Sequence, residues 1–262
     1  MPKAQRYNVS KAAKEGTLNK IPLSVLTINR ILRRGHHGNT PMHTAAVYGN
    51  IHQLPPHLLT RQTLLIKNEN NYTPLHKAAR KGCLDQVPTE FITKDNLTIK
   101  ACDGTTALQW AVISGKVGQI MPFLSTEIMV IADNWGRNLL HCAAAHGHLD
   151  KLAGTFTIHQ LLIKDTGGLT AIHCAAKNGR IMDIPNEALT VENLLLQDFA
   201  NMTPLHHLIN ESYLDQFLGF DFQDNTIAKT IVGAEWWEKN KKLLLARVKL
   251  DMHQPSSEID LF

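Results

Sequence analysis

Small apolar residues recur at helical spacing in the segment 71–83, which reads NYTPLHKAARKGC. Thr73 and Pro74 are typical of a helix start, because a threonine accepts a hydrogen bond from a free backbone N–H and a proline needs no intrahelical donor there. Gly82 can adopt the left-handed conformation that ends a helix. The apolar side of this helix holds Leu75, Ala78 and Ala79. A short helix whose apolar side consists mostly of small residues must pack against a neighbour to be stable.

The same letters recur along the chain at a nearly constant interval. The motif begins at residues 40, 73, 106, 138, 170 and 203, which are 33, 33, 32, 32 and 33 residues apart. Most copies carry histidine at the fourth position, then small apolar residues, then glycine. Six copies in register over residues 39–212 predict a repeat protein.

The period near 33 and the string T-P-L-H-x-A-A-x-x-G resemble the ankyrin repeat, which consists of a β-turn and two antiparallel helices. The resemblance covers residues 39–212. It implies an all-α fold, namely an ankyrin-repeat solenoid of stacked helix-turn-helix units with short β-turn tips. Each unit would then bury its apolar side only against its neighbours in the stack.

The second half of most repeats departs from the usual ankyrin pattern, because a proline follows the repeat glycine by six or seven residues; the fourth repeat lacks this proline and has Ala153-Gly154 instead. These prolines are Pro22, Pro55, Pro88, Pro122 and Pro185. A proline removes a helical hydrogen bond and clashes with the preceding turn, so the second helix is predicted to be cut to one or two turns. A new turn is predicted to begin at Thr27, Thr60, Thr93, Thr126, Thr157 and Thr190.

The pattern divides the chain into three parts. Residues 1–38 hold a degenerate copy of the repeat with a polar outer side, which is what an N-terminal capping repeat requires. Residues 39–220 hold six ankyrin-type repeats. Residues 221–262 resume a helical rhythm that includes Trp236 and Trp237, and they are predicted to form a C-terminal capping helix and a tail.

The composition indicates the cellular compartment and shows where along the chain the positive charge lies. The four cysteines form no CxxC pair, which favours reduced thiols and a cytoplasmic protein. No apolar run approaches the length of a membrane span, and no hydrophobic stretch follows the basic start, so neither a membrane location nor secretion is expected. The net charge is +4, but residues 1–40 carry eight Lys and Arg against one Glu. The basic character is therefore concentrated at the N-terminal end.

Five of the fourteen histidines occupy the fourth position of the motif, and these are His43, His76, His141, His173 and His206. In the ankyrin family this histidine braces neighbouring repeats through hydrogen bonds. Gln109 takes the same place in the third repeat, and an amide replaces a hydrogen bond more readily than a metal ligand. The pairs His36-His37 and His146-x-His148 lack a third ligand. Neither a metal site nor a catalytic or cofactor-binding motif is expected, so the chain is interpreted as a non-enzyme.

Ankyrin proteins usually bind partners through the turn tips and the exposed positions of the first helices, which form the concave side. The residues expected to bind a partner here are Tyr72, Lys77, Arg80, Lys81, Trp110, Ile113, Trp135 and His146. Aromatic side chains on an exposed face are common interface anchors, and cations beside them suit an acidic partner. In the alternative interpretation, Trp110 packs between adjacent first helices and Trp135 covers a turn.

Three functions follow from these patterns. The leading hypothesis is a monomeric, non-enzymatic scaffold that binds another protein through the concave face, as an adaptor or an inhibitor. The alternative is a nucleic-acid or anionic-surface binder that uses Arg30, Arg33 and Arg34 with the basic C-terminal helix. It requires steep salt dependence, and nucleic acid is not the expected partner. An enzyme built on the repeats would need a pocket of titratable groups that the sequence does not display.

Overall fold

A computed structural model describes residues 7–210 of the chain. The α-helices are α1 Val9–Glu15, α2 Ile28–Ile31, α3 Pro41–Tyr48, α4 Arg61–Leu64, α5 Pro74–Lys81, α6 Lys94–Leu97, α7 Ala107–Ile113, α8 Thr126–Met129, α9 Leu139–His146, α10 Ile158–Leu161, α11 Ala171–Lys177, α12 Val191–Leu194 and α13 Pro204–Asn210. No strand occurs between residues 7 and 210. The all-α class predicted from the sequence is therefore confirmed for this part of the chain.

The described residues fall into two compact units. The first comprises residues 7–143 with 151–156, and the second comprises residues 144–150 with 157–210. The sequence-based division at residues 38 and 220 stays a prediction. The predicted C-terminal cap with Trp236 and Trp237 lies outside the described residues, as do residues 211–220 of the sixth repeat.

The longer helices begin where the motif predicts, and α1, α3 and α5 also end at the repeat glycine, whereas the C-caps of α7 and α11 are Ser114 and Asn178, one residue before it. In α5, the Nδ1 atom of His76 accepts a hydrogen bond from the backbone N–H of Thr73 at 3.1 Å and lies 2.8 Å from the threonine hydroxyl oxygen. Pro74 fills the first helical position, and Gly82 ends the helix with φ at +81°. The same start and stop recur in α3, where Thr40 and His43 form a capping box and Gly49 takes the left-handed conformation. The motif therefore encodes the length of the helix as well as its existence.

The longer helices of the first unit pack in chain order, α1 on α3, α3 on α5 and α5 on α7. Their facing sides are built from fully buried alanines, which let the helices approach closely. The fourth-position side chain joins neighbours: Nε2 of His43 lies 3.0 Å from the carbonyl oxygen of Tyr72, and Nε2 of His76 lies 2.9 Å from that of Ile99. Gln109 makes the equivalent bond, donating its amide N–H to the Arg137 carbonyl at 2.8 Å.

The second unit repeats the arrangement over its own residues. Helix α13 packs on α11, and Nε2 of His173 lies 3.0 Å from the carbonyl oxygen of Leu196. Asp198 accepts hydrogen bonds from the backbone N–H groups of Ala200 and Met202 and lies 3.1 Å from the ring of His207. In both units the fourth-position histidine thus bonds to a backbone carbonyl at least 23 residues further along the chain, and its role as a brace between neighbouring repeats stays a prediction.

The second half of each described repeat is shorter than a normal helix, as the prolines predict for the repeats that have one. The fourth repeat has no proline there and is shortened as well, with the 3-10 turn Asp150–Leu152 followed by α10. The second half consists of 3-10 turns followed by an α-helix of four residues. The 3-10 turns are Leu18–Lys20, His36–Gly38, Ile51–Gln53, Pro56–Leu58, Leu84–Gln86, Thr89–Phe91, Val117–Gln119, Met121–Phe123, Asp150–Leu152, Ile181–Asp183 and Asn186–Ala188, where His36–Gly38 belongs to a turn tip. Pro55, Pro88 and Pro185 each sit just before the second 3-10 turn, where no backbone donor is needed.

The predicted start of the short helix is right at Thr27, Thr60, Thr93 and Thr157, each of which is the N-cap residue. It is wrong in the third repeat, where Ser125 is the N-cap and Thr126 is already the first helical residue. Serine is a preferred N-cap residue, as threonine is, although Ser125 makes no side-chain capping hydrogen bond. Because two adjacent residues are of the capping type, the sequence left the helix start open by one residue.

The turn tips are linked by backbone hydrogen bonds. In the first unit the N–H of Glu69 donates to His37, that of Cys102 donates to Asn70, and that of Asn134 donates to Asp103. Each tip ends in a left-handed residue, with Asn71 and Gly104 among them. A β-carbon on Gly104 would lie 2.6 Å from the backbone nitrogen of Asn134, so the neighbouring tip leaves no space there.

Replacing Gly104 with alanine is expected to destabilise the first unit by about 3 kcal/mol. The left-handed conformation costs about 1–2 kcal/mol for a residue with a β-carbon, and the contact with the next tip adds about 1–3 kcal/mol. The matched control is Gly154→Ala, because Gly154 has φ at +78° but nothing within 4 Å of the added carbon. Urea unfolding should show a clearly larger loss for Gly104→Ala. Equal losses would mean that the tip can shift to make room.

Among the described residues, no helix is long and apolar enough to cross a membrane.

Candidate protein-binding surface

Five residues of the first unit form a contact network on one side of helices α5 and α7. Lys77 and Arg80 belong to α5, Trp110 belongs to α7, Tyr72 precedes α5, and Asp103 lies on the tip before α7. Because α5 packs on α7, residues of successive repeats come together here. We call this set, Tyr72, Lys77, Arg80, Asp103 and Trp110, the cationic patch.

The two aromatic rings of the cationic patch meet edge to face, and each ring has its own cation. The ring centroids of Tyr72 and Trp110 are 6.2 Å apart at an interplanar angle of 62°. The ammonium nitrogen of Lys77 lies 4.3 Å from the Tyr72 centroid. The guanidinium carbon of Arg80 lies 4.6 Å from the Trp110 centroid. These distances are in the range where a cation is attracted to an aromatic face.

Asp103 fixes the position of Tyr72. The Tyr72 hydroxyl donates a hydrogen bond to Oδ2 of Asp103 at 2.5 Å, and Oδ1 accepts from the Thr105 backbone N–H at 3.0 Å. Partial burial, followed by the hydrogen bond and charge of Asp103, raises the pKa of Tyr72 to about 12. Burial alone would raise the pKa of Asp103, but the hydrogen bonds from Tyr72 and Thr105 outweigh it and lower that pKa. Tyr72 therefore remains a donor and Asp103 a carboxylate at neutral pH.

The cations determine what this surface offers to a partner. Burial, together with the positive charge of Arg80, lowers the pKa of Lys77 from its ordinary value. Arg80 and Lys81 are exposed, whereas Tyr72, Lys77 and Trp110 are half-buried. The sequence predicted an aromatic patch with cations beside it, but in the structure the cations lie over the rings. The outermost groups of the cationic patch are therefore positively charged, with aromatic surface underneath.

The structure places the eight predicted residues in four settings. Tyr72, Lys77, Arg80 and Trp110 belong to the cationic patch, and Lys81 and Ile113 lie at the ends of α5 and α7, the same two helices. Trp135 lies on the next tip, is 50% exposed, and has the guanidinium carbon of Arg137 4.9 Å from its ring centroid. His146 is exposed at the end of α9 and belongs to the second unit.

The two tryptophans differ in how far they fit the alternative interpretation, in which Trp110 packs between helices and Trp135 covers a turn. Trp110 is only half-buried and contacts Tyr72 and Arg80, so it combines packing with partial exposure. Trp135 is half exposed beside Arg137, which itself pairs with Asp133 at 2.9 Å. Trp135 therefore lies over its own tip while keeping a large accessible surface.

Asp103 is a site residue that the sequence reasoning missed. At most other tips an Asn or Asp stands two positions before the place of Asp103 and accepts hydrogen bonds from its own turn, as Asn68 and Asp133 do, whereas the first tip has Gly35 there. In the third repeat that place is Ala101, and the carboxylate stands instead at Asp103, where it reaches Tyr72 of the preceding repeat. This departure from the repeat is visible in the sequence and could have marked Asp103 as a residue with a separate role.

Helix α3 extends the surface with exposed apolar residues. Val47 is 42% exposed and Tyr48 is 44% exposed on α3, which packs on α5. The ammonium nitrogen of Lys14 lies 5.9 Å from the Tyr48 ring centroid. The exposed side of α3 and α5 thus combines apolar contact area with the cations of the cationic patch.

The fourth-position histidines do not form a metal site. The ring nitrogens of His43, His76 and His173 are occupied by their own N-cap residues and by carbonyls further along the chain, as those of His43 are by Thr40 and Tyr72. Within residues 7–210, no group of three His, Cys, Asp or Glu side chains could hold a metal ion.

The comparisons with known proteins extend the description of the fold. No protein-family model matches the sequence, and no curated protein matches it. Among solved structures, the chain is similar to one from the complex of the predatory endopeptidase Bd0816 from Bdellovibrio bacteriovorus with the immunity protein Bd3460. The identity is 22% and the TM-score is 0.53, and the match covers 76% of this chain and 98% of that chain. At this identity the similarity concerns the fold alone.

Proposed function

We propose that this protein is a non-enzymatic, ankyrin-type repeat scaffold that binds an acidic partner protein through the cationic patch and the exposed side of α3 and α5. The observation that carries the proposal is the placement of Lys77 and Arg80 over the rings of Tyr72 and Trp110. Cations held in this way lose less side-chain freedom on binding than freely moving ones. Arginine over tryptophan is also a common composition of interface hot spots.

The balance of charge supports an acidic partner. Lys77, Arg80 and Lys81 provide three positive charges along α5, and the nearby carboxylate of Asp103 is engaged by Tyr72. Opposite charge on the partner would speed association and penalise wrong partners. The apolar surface of Val47 and Tyr48 would supply the contact area that charge alone does not.

The structural neighbour supports a role in protein binding, since it comes from a complex of an endopeptidase with an immunity protein. An adaptor or an inhibitor of another protein is the corresponding role proposed for this chain. The ankyrin assignment rests on the six copies of the motif. Action as a monomer in the cytoplasm is part of the same proposal, and its cytoplasmic part rests on the pattern of cysteines.

Reversing the charge of Lys77 and Arg80 to glutamate is expected to weaken partner binding on the order of 100-fold or more, because reversal removes hot-spot cations and repels an acidic surface. The wild-type protein is first used to capture and identify a partner from source cells. The purified partner is then titrated against wild type, Lys77→Glu/Arg80→Glu and the milder Lys77→Gln/Arg80→Gln. Circular dichroism melting shows that each variant is folded.

The matched control is Lys20→Glu/Arg61→Glu, which makes the same change in net charge at two exposed cations of the first unit. Its affinity should stay within about threefold of wild type, since rim or remote charges contribute little. If the control lost as much affinity as Lys77→Glu/Arg80→Glu, the attraction would be a non-specific one between net charges. Unchanged affinity in the patch variants would refute the proposed surface.

A further inference from the structure

A second basic feature of the first unit is a cavity of about 670 Å³ at the N-terminal end. Its wall consists of residues 7–10 at the start of α1, three arginines in and after α2, and Pro41 at the start of α3. The arginines are Arg30, Arg33 and Arg34, and none of the described residues that line the cavity is acidic. It shares no residue with the cationic patch.

The three arginines have different roles in the wall. Arg34 is held in place, because its Nη1 atom donates to the carbonyl oxygens of Gly38 at 3.3 Å and Lys67 at 2.9 Å. Arg30 and Arg33 are exposed, and their guanidinium groups form no hydrogen bond or ion pair with any residue between 7 and 210. The backbone N–H of Arg33 donates to the carbonyl of Arg30 at 3.4 Å, so the two side chains leave the chain one turn apart.

Among the described residues no carboxylate pairs with Arg30 or Arg33, whereas the side chain of Glu69 lies near Arg34, beside Gly38. Three like charges around one cavity repel one another, and the repulsion is relieved when an anion binds between them. A guanidinium presents a planar fork of donors that matches the oxygens of phosphate and carboxylate groups. The hydroxyl-bearing residues Tyr7 and Ser10 also line the cavity and add polar atoms to the wall.

The size of the cavity favours a compact ligand. A volume of about 670 Å³ lies within the range of small-molecule sites, about 300–1,000 Å³. An extended polyanion would instead need a continuous basic groove along its backbone. Two exposed arginines one turn apart suit a ligand with at least two anionic groups.

We propose that this cavity binds a small ligand that carries two or more oxyanion groups, either phosphates or carboxylates. Arg30 and Arg33 contact the oxyanions, and Arg34 is the positioning residue that ties the wall to the next repeat. The inference goes beyond the proposed protein-binding function, because the two sites have no residue in common.

Isothermal titration calorimetry at low ionic strength tests the proposal with two probes, inorganic tripolyphosphate and citrate. The wild-type protein should bind at least one of them, and the difference between them distinguishes a phosphate site from a carboxylate site. Arg30→Gln/Arg33→Gln should weaken that binding at least about tenfold, since each arginine contributes charge-assisted hydrogen bonds. Circular dichroism confirms that the variant is folded.

Lys20→Gln/Arg61→Gln is the matched control, because it removes the same charge from exposed positions of the same unit. It should change the affinity by less than about threefold. The proposal is overturned if neither probe binds at about 10 mM, or if the control weakens binding as much as the cavity variant does. Binding that persists unchanged in Arg30→Gln/Arg33→Gln would also overturn it.

Discussion

Lowering the pH from about 7 to about 4 is expected to cost the first unit most of its stability, on the order of 6 kcal/mol. Burial is the main cause that lowers the pKa of His43 and His76 to about 4, from an ordinary value of 6.5. In the unfolded chain both rings take up protons below about pH 6.5, whereas in the folded chain they do so only near pH 4. Stability is therefore complete above pH 6.5 and falls continuously towards pH 4.

The magnitude follows from the size of the shifts. Burial lowers the pKa of each histidine by about 2.5, and a difference of one in pKa corresponds to about 1.4 kcal/mol. Each histidine therefore reduces the free energy of unfolding by roughly 3 kcal/mol when the pH falls from about 7 to about 4. Typical domains have a free energy of unfolding of about 5–15 kcal/mol, so two such residues are enough to unfold a marginal one. His173 in the second unit has its pKa lowered to about 4 for the same reason and should act there in the same way.

The hydrogen bonds explain why the buried ring of His43 does not accept a second proton while the protein stays folded. The backbone N–H of Thr40 can only donate, so Nδ1 of His43 must accept from it at 3.2 Å. The proton of the neutral ring is then on Nε2, which donates to the carbonyl oxygen of Tyr72 at 3.0 Å. Protonation of Nδ1 would set two donors against each other in a buried site, and that arrangement is strongly unfavourable.

Urea unfolding followed by circular dichroism at a series of pH values between about 7.5 and 4.5 measures this effect. The free energy of unfolding should be nearly constant above about pH 6.5 and should fall from there down to about pH 4.5. His57 is exposed on a 3-10 turn, and His57→Gln should show the same pH dependence as the wild-type protein. A free energy that is constant between pH 7 and pH 4.5 would show that these rings already accept a proton in the folded state.

Replacing His76 with alanine is expected to destabilise the first unit by about 3–5 kcal/mol, whereas replacing it with glutamine should cost less than about 1.5 kcal/mol. The alanine variant leaves the Thr73 N–H and the Ile99 carbonyl without a buried partner and opens a cavity between repeats. Glutamine can make both bonds, because it has an acceptor and a donor on one planar group.

The third repeat supplies the precedent for this rescue. Oε1 of Gln109 accepts from the Thr106 N–H at 2.9 Å, and Nε2 donates to the Arg137 carbonyl at 2.8 Å. Because glutamine does not titrate, His76→Gln should also reduce the loss of stability between pH 7 and pH 4.5 by about half. Equal destabilisation by alanine and glutamine would mean that ring packing, rather than hydrogen bonding, is the contribution of His76.

Much of the fold was predictable because one local pattern is repeated. Thr73, Pro74 and Gly82 specify the start and end of a helix through backbone chemistry within a few residues. The same chemistry repeated at residues 40 and 106 predicts α3 and α7 equally well. The prolines likewise predicted a shortened second half, although its 3-10 geometry was not evident from the sequence.

The candidate site was predictable only in outline. The repeat spacing placed Lys77, Arg80 and Trp110 at exposed positions of consecutive first helices, so their proximity was expected. Whether each cation would lie beside a ring or over it depends on rotamers and on helix contacts between repeats. The role of Asp103 depends on a bond across 31 residues that no local pattern describes.

The sequence by itself determined the repeat register, the helix boundaries to within a residue, and the bracing position of the histidines, because each depends on short-range backbone chemistry. Only the tertiary structure decided that Lys77 and Arg80 cover the rings of Tyr72 and Trp110. It also decided that Arg30 and Arg33 share a cavity with Arg34. Both features arise where side chains of different repeats or helices meet, and the distance between such side chains is set by packing rather than by their separation along the chain.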